Sequence, residues 1–452
     1  MSPSVVLIST YEMGRQPFGL ASPAAWLTER GASVALWDLD VVDVDPQSLS
    51  EFDLFGFYLP MHTATRLAVP VIERVKARNP GAHIVAFGIY APMNEAYLRE
   101  LGVDTVLGGE FEEDLVDLYS RLQQGEPAAP VDAKKRTRLR LKVPDRAGLP
   151  ALSRYAKLQM PEGETKTVGY TEASRGCKHL CRHCPVVPVY KGRFNIVSPE
   201  VVLTDIANQV EAGAEHITFG DPDFFNGPAH AVRVVEAMKE TFPSLTYDAT
   251  IKIEHLADRL DLIPWLEETG CVFVTTAMES FDNRVLEILD KGHTVDDFVR
   301  VLDESRRVGL PIAPTFVAFT PWTTLETYGE FLGYISELSL VESVAPIQYG
   351  IRLLLPEGSL LLEVPEVADL VEPFDAESLT YPWKHSDPDV DRLQEAVMSV
   401  VRHTHDEERR VLFDRVRAVA AEFGATTSLR KGVDADVPAL ATIPYMTEPW
   451  YC

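Results

Sequence analysis

The chain has 452 residues, 46% of them hydrophobic and 24% charged, so it has room for two or three domains that each bury a full core. Its formal net charge of -26 argues against general binding to phosphate backbones, and no nucleic-acid partner is expected. It opens without a basic segment leading into a long apolar one, and no run reaches the ~18 apolar residues needed to span a bilayer. No membrane association is expected, and five cysteines without an export signal fit a reducing cytoplasm.

From residue 4 to 122, short apolar runs alternate with amphipathic stretches. "VVLIS", "SVALWD", "LFGFYL", "HIVAFG" and "DTVLGG" read as buried strands. Helical patterns such as "ATRLAVPVIERVKAR" (64–78) and "NEAYLRELG" (94–102) lie between them. Repetition of strand and helix predicts an α/β, Rossmann-like parallel sheet over residues 1–124, with ligands beyond the carboxyl ends of its strands. Ser9, Thr10, Gly88, Gly108, Gly109 and Glu110 fall at those ends. Residues 125–163, rich in proline and small residues, read as a linker. Its basic run, "KKRTRLRLK" (134–142), has no interleaved aromatics and reads as a solvated face.

A second alternation fills residues 164–364. Its candidate strands are "TVGYTEA", "HITFGD", "TYDATIKI", "CVFVTTAM", "IAPTFVAF" and "PIQYGIRLL". Six βα units in series predict a (β/α)6 partial barrel. Residues 365–452 form a C-terminal segment with one long predicted helix, 389–424, and a tail.

Three cysteines, Cys177, Cys181 and Cys184, fall in a C-x3-C-x2-C spacing just after the barrel's first strand. Barrel enzymes place their chemistry at that end. Three thiolates in a short loop can hold three irons of a [4Fe-4S] cube and leave the fourth open. A structural zinc, completed by His179, His183 or His293, and three unrelated buried thiols are the alternatives. The flanking Arg175, Lys178 and Arg182 favour thiolates. Cys271 sits in an apolar strand and reads as a core residue.

The motif and its position resemble the radical S-adenosylmethionine (radical SAM) enzymes, with His183 where that family usually has an aromatic residue. The resemblance implies a [4Fe-4S] cluster and S-adenosylmethionine (SAM) as cofactors, cleavage of SAM to a 5′-deoxyadenosyl radical, and an electron donor such as flavodoxin or ferredoxin. "HITFGDPDFF" resembles the end of the family's second strand, which implies Asp221 or Asp223 near the methionine amino group. Each reads equally well as a helix cap. "AMESFDNRVLEILDKGHT" resembles the fourth-strand pattern of the branch with a cobalamin-type domain, which implies Glu279 and Ser280 near the SAM ribose or amino group. In "FVAFTPWTT" the usual glycine is missing.

The first domain resembles the cobalamin-binding domains of that branch, with Gly88, Gly108 and Gly109 near the cobalamin tail. The usual Asp-x-His-x-x-Gly motif is replaced by "STYEMGRQPFG", which has no histidine for cobalt, while His62 reads as a polar loop residue. Bound cobalamin could carry a methyl group, which makes methyl transfer to an unactivated carbon the alternative reaction; a non-catalytic iron–sulfur or zinc protein is the competing class. The substrate, a small molecule or a peptide, is not named by any inward barrel position. The ending "MTEPWYC" resembles the radical SAM subgroup with Cys-selenocysteine-Ala-Glu-Pro or Cys-Cys-Ala-Glu-Pro tails, which implies a selenoprotein read short at Cys452 and a redox role for that thiol.

Overall fold

In the computed structural model, residues 2–128, 139–402, 407–425 and 443–447 are described. The first five apolar runs form β1 (Val5–Ser9), β2 (Val34–Asp38), β3 (Leu54–Tyr58), β4 (His83–Phe87) and β5 (Thr105–Val106). They make one parallel sheet in the order β2-β1-β3-β4-β5. Every residue of β1 is buried, as a strand covered on both faces requires. The helix His62–Arg78 buries Ala64, Thr65, Ala68, Val71, Ile72 and Val75 at three- and four-residue spacing. Chain order reverses between β1 and β3, which makes their carboxyl ends the natural crevice of this sheet.

The second sheet comprises β6 (Lys157–Gln159), β7 (Thr165–Thr171), β10 (His216–Phe219), β11 (Thr246–Thr250), β12 (Cys271–Glu279), β13 (Ile312–Phe316) and β14 (Tyr445–Met446). Its order is β13-β12-β11-β10-β7-β6-β14. The five strands from β7 to β13 run parallel and curl into a partial barrel; β6 and β14 add antiparallel strands at one edge. A separate hairpin joins β8 (Ser174–Gly176) to β9 (Phe194–Ile196). The helix Val295–Val308 shows how local sequence fixes these units: Thr294 and Asp297 form a reciprocal capping box, and Gly309 ends the helix in the left-handed region.

Four expectations need correcting. The sixth strand, "PIQYGIRLL", is a 3-10 turn at Pro346–Tyr349 followed by a single parallel bridge, Phe319 to Arg352. Gln348 is buried there and accepts from the Phe316 N–H at 2.8 Å, so its neighbours' apolar character serves packing rather than a ladder. The linker region contributes β6. It also supplies Arg146, whose guanidinium bonds both oxygens of Asp205 (2.8 and 2.9 Å), the Tyr170 carbonyl (2.7 Å) and Gln16 (2.9 Å), tying the two domains together. The long C-terminal helix is two helices, Pro388–Val401 and Arg409–Glu422. His62 opens a helix, and its Nε2 lies 2.6 Å from the Ser378 carbonyl. No helix among the described residues is long and apolar enough to cross a membrane.

Candidate active site

The three cysteines lie between the strands of the β8–β9 hairpin, just past the carboxyl end of β7. Asp221, from the loop after β10, braces the entry to this hairpin. It accepts from the Ala173 N–H at 2.9 Å and the Ser174 hydroxyl at 2.6 Å. Burial pushes its pKa up to about 7, against the pull of these two donors. Asn226 clamps the other side, accepting from the Lys178 N–H (3.1 Å) and donating to the Gly176 carbonyl (3.2 Å). A turn from the Cys184 N–H to the Cys181 carbonyl (3.1 Å) leads into the helix Val186–Tyr190.

Burial raises the Cys177 thiol and pushes Cys184 up to about 12. The expected help from Arg175 and Arg182 is absent, because both are engaged elsewhere. Arg175 is buried against Glu112 (2.7 Å), Glu172 (2.6 Å) and Glu110 (3.2 Å). The Arg182 guanidinium donates to the Ile288 carbonyl at 2.6 Å. The cation near the sulfurs is Lys291, whose ammonium interacts with Cys181 and Cys184. Buried thiols of this kind need a strong positive charge to ionise, and an iron cluster supplies one. Among the described residues, His179, Asp223 and His255 bring three metal-ligating atoms within 4.8 Å of one another. Cys271 is buried in the barrel core, with its Sγ 3.2 Å from the Phe273 carbonyl.

Glu279 ends β12 at a register shift and has a left-handed backbone, φ 66°, an uncommon state for a residue with a side chain. This turn aims its carboxylate at two donors: His183 Nε2 at 2.9 Å and the Lys291 ammonium at 3.0 Å. Burial works to raise its pKa, but Lys291 and His183 hold it well below the usual carboxylate range. The next residue, Ser280, accepts from the Asp282 N–H at 3.1 Å. Asp223 caps the short turn Phe224–Asn226, accepting from the Phe225 N–H at 3.3 Å and from the Lys252 N–H at 3.2 Å. Its other oxygen is fully buried and lies 2.9 Å from His255 Nδ1, but out of alignment for a hydrogen bond. His179, from the cysteine loop, reaches the same place, 3.1 Å from His255 Nε2.

The carboxyl ends of the first sheet face the barrel across a cavity of about 1110 Å³. Glu12, Arg15, Tyr58 and Met61 line it at the β1/β3 crevice. Gly88 and Gly109 also border it, for different reasons. A Cβ on Gly88 would meet the Leu59 carbonyl oxygen at 2.7 Å, whereas one on Gly109 would enter open space. Gly108 is buried beside Gly109. Glu12 is buried and its Oε2 has no partner; Arg15 Nε is likewise unpartnered. Burial pushes Glu12 up to about 8 despite Arg15 nearby. The crevice therefore fits a bulky ligand held by hydrogen bonds, and among the described residues no histidine lines it.

Residues 171–336 match the family model of the Radical SAM superfamily. The chain carries a radical SAM domain. Domains of this kind use a [4Fe-4S] cluster and SAM. Among curated proteins, the chain is similar to an uncharacterized methyltransferase, PH0819, of Pyrococcus horikoshii: 22% identical over 67% of this chain and 65% of that one. It is 21% identical to the tRNA-2-methylthio-N(6)-dimethylallyladenosine synthase of Actinobacillus succinogenes, over 58% of this chain and 55% of that one. The match thus spans less than two thirds of either relative. Among solved structures, the cobalamin-dependent SAM radical enzyme OxsB, with aqua-cobalamin bound, has a TM-score of 0.68 at 15% identity, covering 93% of this chain and 72% of that one. The radical SAM methyltransferase TsrM of Kitasatospora setae, with cobalamin and a [4Fe-4S] cluster, has a TM-score of 0.63 at 16% identity, covering 98% and 91%. These likenesses extend the shared fold across both domains.

Sequence reasoning missed His179 and His255 as a pair, Lys291 as the cation beside the sulfurs, and Glu12 as a cavity group. A lysine twelve residues after Glu279 in "ESFDNRVLEILDKG" was the one available signal. Cys452 lies outside the described residues.

Proposed function

We propose that the protein binds a [4Fe-4S] cluster through Cys177, Cys181 and Cys184, binds SAM beside it, and performs radical chemistry on a substrate held in the central cavity. The observation that carries this reading is the three-cysteine loop, braced by Asp221 and Asn226 at the carboxyl end of β7, next to a large cavity. Reduced and bound to SAM, such a cluster supplies a 5′-deoxyadenosyl radical. The chain's part is to bind, orient and exclude water. Asp223 and Ser280 offer polar groups to the amino acid and ribose parts of SAM, while Glu279 orients His183 and Lys291. Asp221 acts through Ser174, by fixing the loop. A small one-electron donor of the flavodoxin or ferredoxin type completes the cycle.

Methyl transfer with cobalamin is the second reading. It is favoured by the open crevice at the β1/β3 switch point and by the cobalamin bound in the OxsB and TsrM structures. Cobalamin held there would have Glu12 and Arg15 beside it and no histidine on cobalt.

The test is anaerobic reconstitution followed by reduction with dithionite in the presence of SAM. Production of 5′-deoxyadenosine and methionine, abolished by Cys181→Ala and retained by Cys271→Ala, is the expected result. A cluster-loaded protein that leaves SAM intact under these conditions would contradict the reading. Uptake of hydroxocobalamin with spectra free of histidine coupling would favour the second.

A further inference from the structure

The inward faces of the barrel strands carry one polar chain that the chemistry above does not use. Lys166 on β7 donates to the Thr246 hydroxyl at 3.3 Å. Thr246 lies 2.9 Å from His216 Nδ1, and His216 Nε2 lies 2.9 Å from Asp248 Oδ1. His216 is fully buried. The Thr218 hydroxyl donates to the same Asp248 oxygen at 2.6 Å. The carboxylate accepts, so the proton sits on His216 Nε2, which leaves Nδ1 free to accept from Thr246. His216 and Thr218 thus both point their donors at one oxygen of Asp248.

The second oxygen of Asp248 has no hydrogen-bond partner among the described residues, and His216 is the one side chain among them within ion-pair distance of the carboxylate. Asp248 is 5% exposed and lines the central cavity. Thr218 and Phe273 stand opposite Asp248 on the neighbouring strands, and Thr250, Thr275 and Thr315 line the same cavity. Two donors fix one oxygen of this carboxylate, and the other is left beside the cavity as an acceptor that a donor or a cation on a ligand can meet.

We propose that Asp248 is a substrate-binding residue and that the substrate of this enzyme is a small molecule bearing a protonated amine. This inference rests on the radical SAM reading and deepens it. The amine docks on the free oxygen of Asp248, and the hydroxyls of Thr250, Thr275 and Thr315 take further polar groups. His216 and Thr218 are positioning residues, which fix the carboxylate rather than touch the substrate.

The experiment uses the cluster-loaded protein with SAM present. Saturation-transfer NMR titrations compare butylamine, hexylamine and 1,4-diaminobutane with alcohols and carboxylates of the same chain length. Amines should bind about tenfold or more tightly than their isosteres, the ratio of one charge-assisted hydrogen bond. Asp248→Asn should remove that preference while leaving iron content and SAM binding unchanged, and Thr218→Val should reduce it less. A crystal structure of the wild-type protein with the tightest amine should place its nitrogen within hydrogen-bond distance of Asp248. Equal binding of amines and alcohols, a preference that survives Asp248→Asn, or an amine bound elsewhere would overturn the inference. Absence of iron or of SAM binding in the same samples would instead overturn the reading beneath it.

Discussion

Glu12 and Glu279 are both buried glutamates at the carboxyl end of a parallel strand, one in each domain, yet their surroundings are opposite. Glu279 is bound by Lys291 and His183, and these partners hold it in the ionised form. Glu12 keeps an unpartnered oxygen, and burial drives it toward the neutral form. The barrel side uses its charges to hold its loops in place: Glu279 fixes His183, Arg175 gathers three carboxylates, and Arg146 grips Asp205. The Rossmann side leaves Glu12 and Arg15 unpaired at its crevice, and the barrel side leaves one oxygen of Asp223 unpaired beside its cysteine loop. A satisfied network marks a place where the protein fixes its own geometry, and an unsatisfied one marks a place where something else is to be met.

The comparison can be broken first at Arg175. Arg175→Met leaves Glu110, Glu112 and Glu172 buried without their cation, and the expected loss is about 3–5 kcal/mol of stability. Urea titration of the apoprotein checks it; a loss below about 1 kcal/mol would mean that water reaches these carboxylates.

The two glutamates should also differ in the sign of their pH dependence. Glu12 has a folded pKa of about 8 against an ordinary value of 4.5, so the folded chain binds the extra proton between those values. Its contribution to stability therefore falls as pH rises from about 5 to 8, and Glu12→Gln should stabilise the ligand-free protein at pH 8 by roughly 1–3 kcal/mol. Glu279 has a depressed folded pKa, so its contribution is present at neutral pH and disappears as pH falls below about 4. Melting temperatures of the wild type and Glu12→Gln across pH 5–8 decide this. Curves that stay parallel would place Glu12 in water rather than in the protein.

The smallest expected effect is at the seam between the first domain and the C-terminal segment. His62→Ala removes a single bond to the Ser378 carbonyl, and about 1 kcal/mol should be lost with cluster loading unaffected. A larger loss, seen in the same urea titrations, would show that the seam carries more than one hydrogen bond.

Much of this was legible in the residues. The five strands of the first sheet are short apolar runs between turn residues, a pattern clearest in β1, which is buried along its whole length. The cysteine spacing after β7 located the loop. What the residues did not reveal is long-range. Arg175 lies 65 residues from Glu110, and His183 lies 96 from Glu279, so neither pairing leaves a local trace. That is why Arg175 read as a cation for the sulfurs when it belongs to the domain interface. "PIQYGIRLL" read as a strand because a segment packed into a core from one side has the same apolar content as a strand covered on both. The helix predicted over 389–424 failed for a related reason: its periodicity is that of two helices packed on each other. Asp248 went unremarked because an inward aspartate in "TYDAT" has meaning only once His216 and Thr218 are beside it.

The central claim is that the three cysteines hold one cluster with an open iron. Mössbauer and electron paramagnetic resonance spectra of the anaerobically reconstituted, ⁵⁷Fe-labelled protein test it most directly. The expected result is one [4Fe-4S] cluster per chain, in which one iron changes its signal when SAM is added, with loading lost in each of Cys177→Ala, Cys181→Ala and Cys184→Ala. A protein that takes up stoichiometric zinc and no iron, or a cluster whose four irons are all indifferent to SAM, would contradict it.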